Sequence, residues 1–358
     1  TRAELINILS NMVDTLVKET TTVTKDVSGS LLISAADGAT LKGIRIGGDL
    51  ILAPGVTKDV TLVDCVIQGN IRNYGTGEVR FEAPQITPES TATKPSDVYK
   101  PGTTLDRTLE YGGKSVPIYR DRPLNVFSDV DFIWTDEENE NRRRLEYLGG
   151  EFRTRYGIDV SSFQGEIDWD AVADDNIDFA MVRVGFRGTG TGSLNTDKYY
   201  EQNIRGAMRA GLETGVYFFA QAVTVEEAIE EADYVISLLD GLDINGPVAY
   251  DWEMHDSTYR VYGTSPEMAT ACAVAFCERI KDAGYTPMVY GGTYVTYMKY
   301  DQGALADYLS WYPEYKSEKS EKLCPTLVYH MDYWQFSSSR AVAGINGRVD
   351  MNIQFIRR

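Results

Sequence analysis

Two carboxyl groups two residues apart, Asp251 and Glu253, are the feature of this sequence best placed to do chemistry. They close a strand-like run, PVAYDWE, at residues 247–253. Side chains at positions i and i+2 of a strand point to the same side, so both carboxyls would face one cavity with Cβ atoms about 6–7 Å apart. Cleavage of a glycosidic bond needs such a pair, one carboxyl to protonate the leaving oxygen and one to support positive charge at the sugar carbon. An isolated acidic pair also fits a solvated strand end.

The elements that would position this pair alternate between strand-like and helix-like segments from about residue 155 onward. Alternating βα units over this length predict a mainly parallel sheet or an α/β barrel. Gly211, Gly241 and Gly284 stand where helices would end. The strand-like runs are 156–162, 179–185, 214–221, 247–253, 286–292, 309–315 and 328–336. The helix-like runs are 197–211, 224–240, 266–284 and 301–308.

In α/β barrels the polar side chains at the carboxyl ends of the strands do the chemistry. Asp159 ends the first strand-like run, and Asp350 lies in GRVDMN near the end of the chain. With the acidic pair they make four carboxyls at one mouth, where mutual repulsion raises the pKa of at least one of them. Two of the accompanying side chains have a structural alternative, Trp334 as a core indole and Arg183 as an ion-pair partner. The side chains expected to bind substrate are Arg183, Tyr217, Gln221, Tyr290, Trp334 and Gln335.

One segment, YGIDVSSFQGEIDW at 156–169, resembles the opening signature of glycoside hydrolase family 25, the N-acetylmuramidase lysozymes. The agreement continues in order through AMVRVGFRGTGTG, GLETGVYFFAQAVTVEEAIEEADYV, PVAYDWE, MVYGG and YWQFSSSRAVAGINGRVDMNIQF. The resemblance covers residues 155–358 and none of residues 1–150. Many members of the family read Tyr-His-Phe where this chain reads Tyr217-Phe218-Phe219. This departure leaves the fine substrate preference open but not the reaction, since the four acids are all present.

The resemblance implies a TIM-like (β/α)5β3 barrel and cleavage of the β-1,4 bond between N-acetylmuramic acid and N-acetylglucosamine. By position, Glu253 matches the general acid of the family. Asp251 matches the carboxylate that assists the N-acetyl group of the substrate or stabilises the transition state, and Asp159 and Asp350 match the flanking acids. Arg183, Tyr217, Tyr290 and Trp334 fall where the family shapes its sugar cleft. The resemblance implies no metal or organic cofactor, and it implies peptidoglycan glycan strands as the partner.

Composition narrows the function further. The formal net charge is −18, which disfavours a nucleic-acid or anionic-membrane partner. No apolar run reaches about 18 residues, so no membrane span is predicted. The two histidines, His255 and His330, argue against a multi-histidine metal site, and all four cysteines are expected to be free. Because peptidoglycan lies outside the cytoplasm, we expect the protein at the cell wall or outside the cell, either secreted or released by lysis.

The first half of the chain has a different pattern. Residues 3–18 have helical apolar spacing, which predicts an amphipathic helix within residues 1–25 that either packs on its own chain or self-associates as a short coiled coil. Residues 26–83 are β-rich, and TLKGIRIGGDLIL from Thr40 and TLVDCVIQGNIRN from Thr61 repeat with an offset of 21 residues. Such a repeat is typical of β-helix rungs, with a small β-sandwich as the alternative.

The remaining segment, residues 84–150, begins with a run rich in Pro, Thr, Ser and Gly and predicts a linker and connecting segment before a barrel at 151–358. The leading hypothesis is therefore a peptidoglycan hydrolase with an N-terminal β-rich module. Two alternatives remain, a catalytically idle cell-wall binding module and a structural assembly protein that carries a lytic domain. The helix and the repeat also favour a homo-oligomer.

Overall fold

The computed structural model describes residues 13–63, 65–67, 71–82 and 93–358. The chain divides into two compact units, residues 1–91 and 92–358. Each unit has its own hydrophobic core, one built from side chains between residues 17 and 62 and the other from side chains between residues 116 and 355. Among the described helices, none combines the length and the hydropathy that crossing a bilayer requires.

The N-terminal unit is a stack of short parallel strands. They are β1 (Thr15–Val17), β2 (Thr22–Val23), β3 (Leu31–Ile33), β4 (Ala39–Lys42), β5 (Arg45–Ile46), β6 (Leu50–Leu52), β7 (Val60–Val63), β8 (Val66–Ile67), β9 (Ile71–Asn73) and β10 (Val79–Glu82). They pair in the orders β1-β3-β6-β9, β10-β7-β4-β2 and β5-β8. Successive turns of the chain therefore lie on one another, as β-helix rungs do.

The register of these ladders follows the sequence repeat. Thr40 lies opposite Thr61, and Ile46 lies opposite Ile67, so the offset of 21 residues is one rung. The pairings among β1–β10 are parallel, which agrees with the β-helix interpretation and not with an antiparallel sandwich. Leu41 is fully buried between the ladders, because every rung presents an apolar side chain to the same interior.

The helix predicted over residues 3–18 is not found where the chain is described. Residues 1–12 lie outside the described residues, and so does most of the proposed self-association surface. Thr15–Val17 is strand β1, paired in parallel with Leu31–Ile33, and this part of the prediction is wrong. Leu16 and Val17 pack on the core of the N-terminal unit, and that tertiary burial outweighs the local helical spacing.

The sequence predicted a linker over residues 84–150, of which the structure describes residues 93–150. The structure of these residues differs from the prediction. This part belongs to the second unit. It holds one α-helical turn, α1 (Pro95–Val98), two 3-10 turns (Asp129–Asp131 and Glu140–Arg142) and two antiparallel hairpins. The hairpin strands are β11 (Leu105–Tyr111), β12 (Lys114–Tyr119), β13 (Phe132–Trp134) and β14 (Leu145–Tyr147).

Specific contacts fasten this segment to the rest of its unit. The Phe127 ring lies 4.4 Å from the Phe355 ring, centroid to centroid. Arg122 is buried, and its guanidinium donates hydrogen bonds to Gln302 Oε1 at 3.0 Å and to the carbonyls of Leu305 and Tyr308 at 2.9 and 2.7 Å. The prediction of a linker is therefore wrong for residues 93–150, because a turn-rich composition gave no sign of the hairpins or of these distant partners.

A closed sheet forms the centre of the second unit. Its strands are β15 (Phe152–Val160), β16 (Phe179–Arg187), β17 (Leu194–Thr196), β18 (Glu213–Ala220), β19 (Val248–Trp252), β20 (Pro287–Tyr290), β21 (Leu309–Pro313), β22 (Tyr333–Arg340) and β23 (Val349–Arg357). The order is β15-β23-β22-β21-β20-β19-β18-β16, and β16 pairs back with β15, while β17 extends β16. The strands are parallel except β23, which is antiparallel to β15 and β22, and the short strand β17, which is antiparallel to β16.

Helices follow the first strands of this sheet. They are α2 (Trp169–Asp174), α3 (Tyr200–Arg209), α4 (Val225–Leu238), α5 (Pro266–Asp282) and α6 (Thr293–Met298). Side-chain oxygens of Asp168, Thr224 and Ser265 cap α2, α4 and α5 by accepting a hydrogen bond from a backbone N–H of the first turn. Beyond α3 and α5, Gly211 and Gly284 adopt φ values of +85° and +90°, as predicted for helix ends. The prediction for Gly241 beyond α4 is confirmed in the same way.

The helix predicted over residues 301–308 is wrong. These residues form consecutive turns, and the neighbouring helix is α6, Thr293–Met298. The Asp301 carboxylate accepts hydrogen bonds from the backbone N–H groups of Gly102, Gly303 and Ala304. An aspartate that bonds nearby N–H groups in this way stabilises a turn and competes with helix formation.

We expect the substitution Arg122→Ala to destabilise the second unit by about 3 kcal/mol, because three buried oxygens lose a charged donor. Arg107→Ala is the matched control. Arg107 is 52% exposed and pairs with Asp106 in the same hairpin, so its loss costs under about 1 kcal/mol. Calorimetric unfolding of the two variants measures the difference. Equal transitions in both would show that residues 93–150 behave as a linker after all.

Candidate active site

A small cavity of about 130 Å³ opens among the strand ends of the barrel. Its lining brings together four carboxyl groups, aromatic rings and one amide, and it contains no lysine or arginine among the described residues. The lining residues are Asp159, Tyr217, Asp251, Glu253, Tyr290, Trp311, Tyr315, Gln335 and Asp350.

The direction of the strands explains why the four carboxyls meet. Asp159 lies near the end of β15, Asp251 lies near the end of β19, and Glu253 follows β19 directly. Asp350 is the second residue of β23, and because β23 is antiparallel, the start of that strand lies at the same edge. Asp159 and Asp350 are direct partners across the two strands.

The Asp159 carboxylate is held by two amide side chains. Gln335 Nε2 and Asn352 Nδ2 each donate a hydrogen bond to Asp159 Oδ2, both at 2.8 Å. Asp159 is 6% exposed, and burial raises its pKa while the hydrogen bonds from Asn352 and Gln335 oppose that rise. These amides therefore stabilise the ionised carboxylate inside the barrel.

Aromatic side chains in turn fix the orientation of the two amides. Tyr290 and Tyr315 donate their hydroxyl hydrogens to Gln335 Oε1, at 3.2 and 3.1 Å. Trp311 Nε1 donates to Asn352 Oδ1 at 2.8 Å. With each amide oxygen occupied by a donor, each amide nitrogen is directed at the carboxylate.

The pKa of Asp350 is raised as well. Burial and the adjacent negative charge of Asp159 raise the pKa of Asp350 to about 8. A hydrogen bond links the two side chains, raising the pKa of Asp350 and lowering that of Asp159. Because both pKa values are raised and the two carboxyls repel each other when ionised, the pair favours a state that retains a proton.

Asp251 is buried with an unused acceptor. It is 6% exposed, and within the described chain its Oδ1 atom has no hydrogen-bond partner. Burial, followed by the negative charges of Glu253 and Asp159, raises the pKa of Asp251 well above its ordinary value, while the Arg183 guanidinium opposes the rise. An unpaired buried oxygen costs free energy unless a bound group donates to it.

Glu253 is the more accessible member of the acidic pair. Its side chain is 26% exposed, and its Oε2 atom lies 2.8 Å from His255 Nε2. Gln221, predicted to bind substrate, instead donates from Nε2 to the backbone carbonyl of Glu253 at 2.8 Å and is fully buried. Gln221 thus anchors the backbone of the acid and does not line the cavity, which corrects its predicted role.

Trp334 is also not a substrate platform. It is fully buried, its Nε1 donates to the carbonyl of Glu314 at 3.0 Å, and its ring packs edge-on at 5.4 Å from Phe132. Alternation along the strand is the reason, because Gln335 faces the interior of the barrel and its neighbour must face outward. The alternative of a core indole is the correct one.

Arg183 lies beside the cavity without lining it. Its side chain is 14% exposed, and its Nη2 atom lies 2.8 Å from Asp197 Oδ2. It also donates to Ser162 Oγ at 3.3 Å and lies over the Phe163 ring, 5.2 Å from the centroid. Arg183 therefore holds the loop after β15 and acts on the carboxyls through its charge.

The structure thus brings seven of the ten predicted residues to one cavity and places Arg183, Gln221 and Trp334 outside its lining. The sequence reasoning missed Trp311, Tyr315 and Asn352. Trp311 and Tyr315 belong to the strand-like run 309–315, so the rule of polar and aromatic residues at strand ends could have found them. Asn352 is two residues beyond Asp350, and the same-side rule that selected the acidic pair could have found it.

A larger cavity of about 450 Å³ lies between the β11–β12 hairpin and helices α5 and α6. Its carboxyl groups are Glu267 and Asp301, and the Asp301 carboxylate already accepts backbone hydrogen bonds. Chemistry that needs facing carboxyls is therefore assigned to the smaller cavity. In the described residues, no group of three or more His, Cys, Asp or Glu side chains is arranged to hold a metal ion.

The comparisons with known proteins agree with this geometry. The profile of Glycosyl hydrolases family 25 matches residues 158–345. The autolytic lysozyme of Clostridium acetobutylicum is 26% identical over 55% of this chain and 54% of its own length. Lysozyme M1 of Streptomyces globisporus is 27% identical over 55% of this chain and 66% of its own length. The chain therefore spans between half and two thirds of these relatives.

Among solved structures, the spore cortex lytic enzyme SleM of Clostridium perfringens aligns with a TM-score of 0.49 and 22% identity, over 56% of this chain and 67% of that one. The family match covers residues 158–345, so it includes most of the barrel, without strand β23, and none of the N-terminal unit. Since the match extends over more than half of the sequence and contains three of the four carboxyls of the cavity, Asp159, Asp251 and Glu253, the chain belongs to glycosyl hydrolase family 25.

Proposed function

We propose that this protein hydrolyses the β-1,4 bond between N-acetylmuramic acid and N-acetylglucosamine in peptidoglycan, with Glu253 as the general acid. Family membership and relatives named as lysozymes support a glycosidase that acts on cell walls. The proposal places its action at the cell wall or outside the cell. Both carboxyls of the acidic pair line one cavity, which disfavours a catalytically idle binding module.

The observation that carries the proposal is the unpaired oxygen of Asp251. A buried acceptor without a donor is suited to a ligand that brings an N–H group, and the N-acetyl group of the substrate has one. A hydrogen bond from that N–H to Asp251 Oδ1 would orient the acetyl oxygen toward the sugar carbon. Asp251 would then assist the N-acetyl group, or stabilise the positive charge that develops when the bond breaks.

The remaining groups have supporting roles in this proposal. Glu253 is partly exposed, so it can reach the leaving oxygen and give up its proton as the C–O bond breaks. Asp159 contributes negative charge near the cationic sugar, while Asp350 carries a proton and so limits the repulsion among the acids. Tyr217 and Tyr290 line the cavity, and we assign them to sugar contact together with Gln335.

The proposal includes the (β/α)5β3 arrangement for residues 151–358. Helices α2–α6 each lie between successive strands of the first part of the barrel, and β21, β22 and β23 close it without a further helix. This strand order supports the layout. It also explains the acid placement, because only the antiparallel last strand brings an early residue, Asp350, to the edge where the other strands end.

We expect Glu253→Gln to lower the release of reducing ends from purified peptidoglycan by about 10²–10⁴-fold, because glutamine cannot protonate the leaving oxygen. Mass spectrometry of the wild-type fragments should show reducing N-acetylmuramic acid ends. Glu201→Gln is the matched control, since Glu201 is a half-exposed helix residue paired with Arg205. Full activity in Glu253→Gln, with the expected fragments, would remove Glu253 from this role.

We expect Asp350→Asn to stabilise the protein increasingly as the pH rises from about 4 to about 8. The pKa of Asp350 in the folded protein is about 8 against an ordinary 3.8, so folding favours the protonated form. Its stabilising contribution is complete below the ordinary pKa and is lost as the pH rises through about 8. Asparagine does not ionise and avoids this loss.

The measurement is the difference in Tm between Asp350→Asn and wild type at several pH values. Asp240→Asn, at an exposed position beyond α4, is the matched control. A difference that is the same at pH 4 and pH 8 would contradict the raised pKa of Asp350.

A further inference from the structure

A histidine contacts the proposed general acid. His255 lies two residues after Glu253, and its Nε2 atom is 2.8 Å from Glu253 Oε2. The His255 side chain is 64% exposed, whereas that of Glu253 is 26% exposed. The imidazole therefore contacts both the Glu253 carboxyl at the cavity and the surrounding solvent.

The imidazole is held in place by its own loop. The Tyr259 ring packs edge-on against it, with centroids 5.3 Å apart. Asp256, the next residue, accepts hydrogen bonds from Thr258 N and Thr258 Oγ1 at 2.8 and 2.6 Å. These bonds lower the pKa of the Asp256 carboxyl, so a negative charge stays beside His255.

The charges around this contact are mainly negative. From β19 and the barrel strands, Asp251, Asp159 and Asp350 act on the same cavity. The cations nearby are already paired, since Arg183 contacts Asp197 and Arg260 contacts Glu227. Tyr259, Tyr290 and Tyr315 are the further titratable groups that face Glu253.

We propose that His255 and Glu253 share one proton, and that His255 keeps the general acid loaded at pH values where a lone carboxyl would be empty. This inference rests on the proposed function. An imidazole gains and loses its proton between about pH 5 and 8, above the usual range of a carboxyl. His255 acts through Glu253 and does not touch the substrate.

The proton balance is simple. In the loaded state the pair holds one proton, on Nε2 or on Oε2, and the two forms interconvert along the hydrogen bond. In the cleavage step that proton passes to the glycosidic oxygen as the C–O bond breaks, which leaves a carboxylate beside a neutral imidazole. The water that attacks the sugar carbon releases one proton, and its return to the pair, directly or through solvent, completes the cycle.

The test compares His255→Gln, which retains a polar side chain without a titrating group, with His255→Ala. Values of kcat and KM are measured from pH 4 to pH 9 on soluble peptidoglycan oligosaccharides. We expect the alkaline limb of the kcat profile to move about 1 pH unit lower in both variants. We expect KM, and kcat on the acidic side, to change less than about threefold in His255→Gln.

A second readout does not depend on activity. The chain has two histidines, so the NMR titration of His255 is identified by its loss in His255→Gln. We expect the midpoint of that titration to fall when Glu253 is replaced by Gln, because the carboxylate no longer stabilises the imidazolium.

The outcomes separate clearly. An active wild type whose alkaline limb coincides with that of His255→Gln overturns the inference and reduces His255 to a hydrogen-bonding role. An NMR midpoint that does not move in Glu253→Gln also overturns it. A wild type that releases no fragments at any pH contradicts the proposed function, a result distinct from an unmoved limb in an active enzyme.

Discussion

Four carboxyl groups share one buried cavity, and this crowding is the constraint to which the rest of the active end of the barrel responds. Like charges in a poorly hydrated space repel strongly, so the fold either keeps a proton on a carboxyl or supplies donors to it. Asp350 keeps a proton, and Asp159 receives amide donors from Gln335 and Asn352. Asp251 Oδ1 is left without a donor in the described chain, and the proposed function assigns this oxygen to the N–H group of the substrate.

The aromatic residues near the cavity therefore act on the carboxyls indirectly. Trp311 and the two tyrosines Tyr290 and Tyr315 occupy the amide oxygens and so decide which end of each amide faces Asp159. An amide reversed by 180° would present an oxygen to a carboxylate and add repulsion where there is now attraction. The aromatic donors therefore influence the ionisation of Asp159 through the amides, without contacting its carboxyl.

Local patterns predicted those parts of the molecule that depend on short-range rules. The offset between Thr40 and Thr61 gave the rung register, and strand alternation gave the shared direction of the acidic pair. The errors came from long-range packing. Trp334 and Trp311 are both tryptophans in strand-like runs, and the residue type does not distinguish them. The register of their strands places Trp311 inside the barrel and Trp334 outside it. Likewise, Thr15–Val17 forms a strand because it pairs in parallel with Leu31–Ile33 of the neighbouring rung.

The attachment of residues 93–150 to the barrel has a consequence for modularity. The family match starts at residue 158, which invites treating the barrel as a self-sufficient cassette. Yet Phe152 and Phe355 are covered by Phe127, and Arg122 occupies a buried site among barrel carbonyls. A cut at the family boundary would remove Phe127, Phe152 and Arg122, which exposes Phe355 to water and leaves the carbonyls unpaired. The folding unit is therefore longer than the segment matched by the family, and moving the barrel into another protein requires residues 93–150 to move with it.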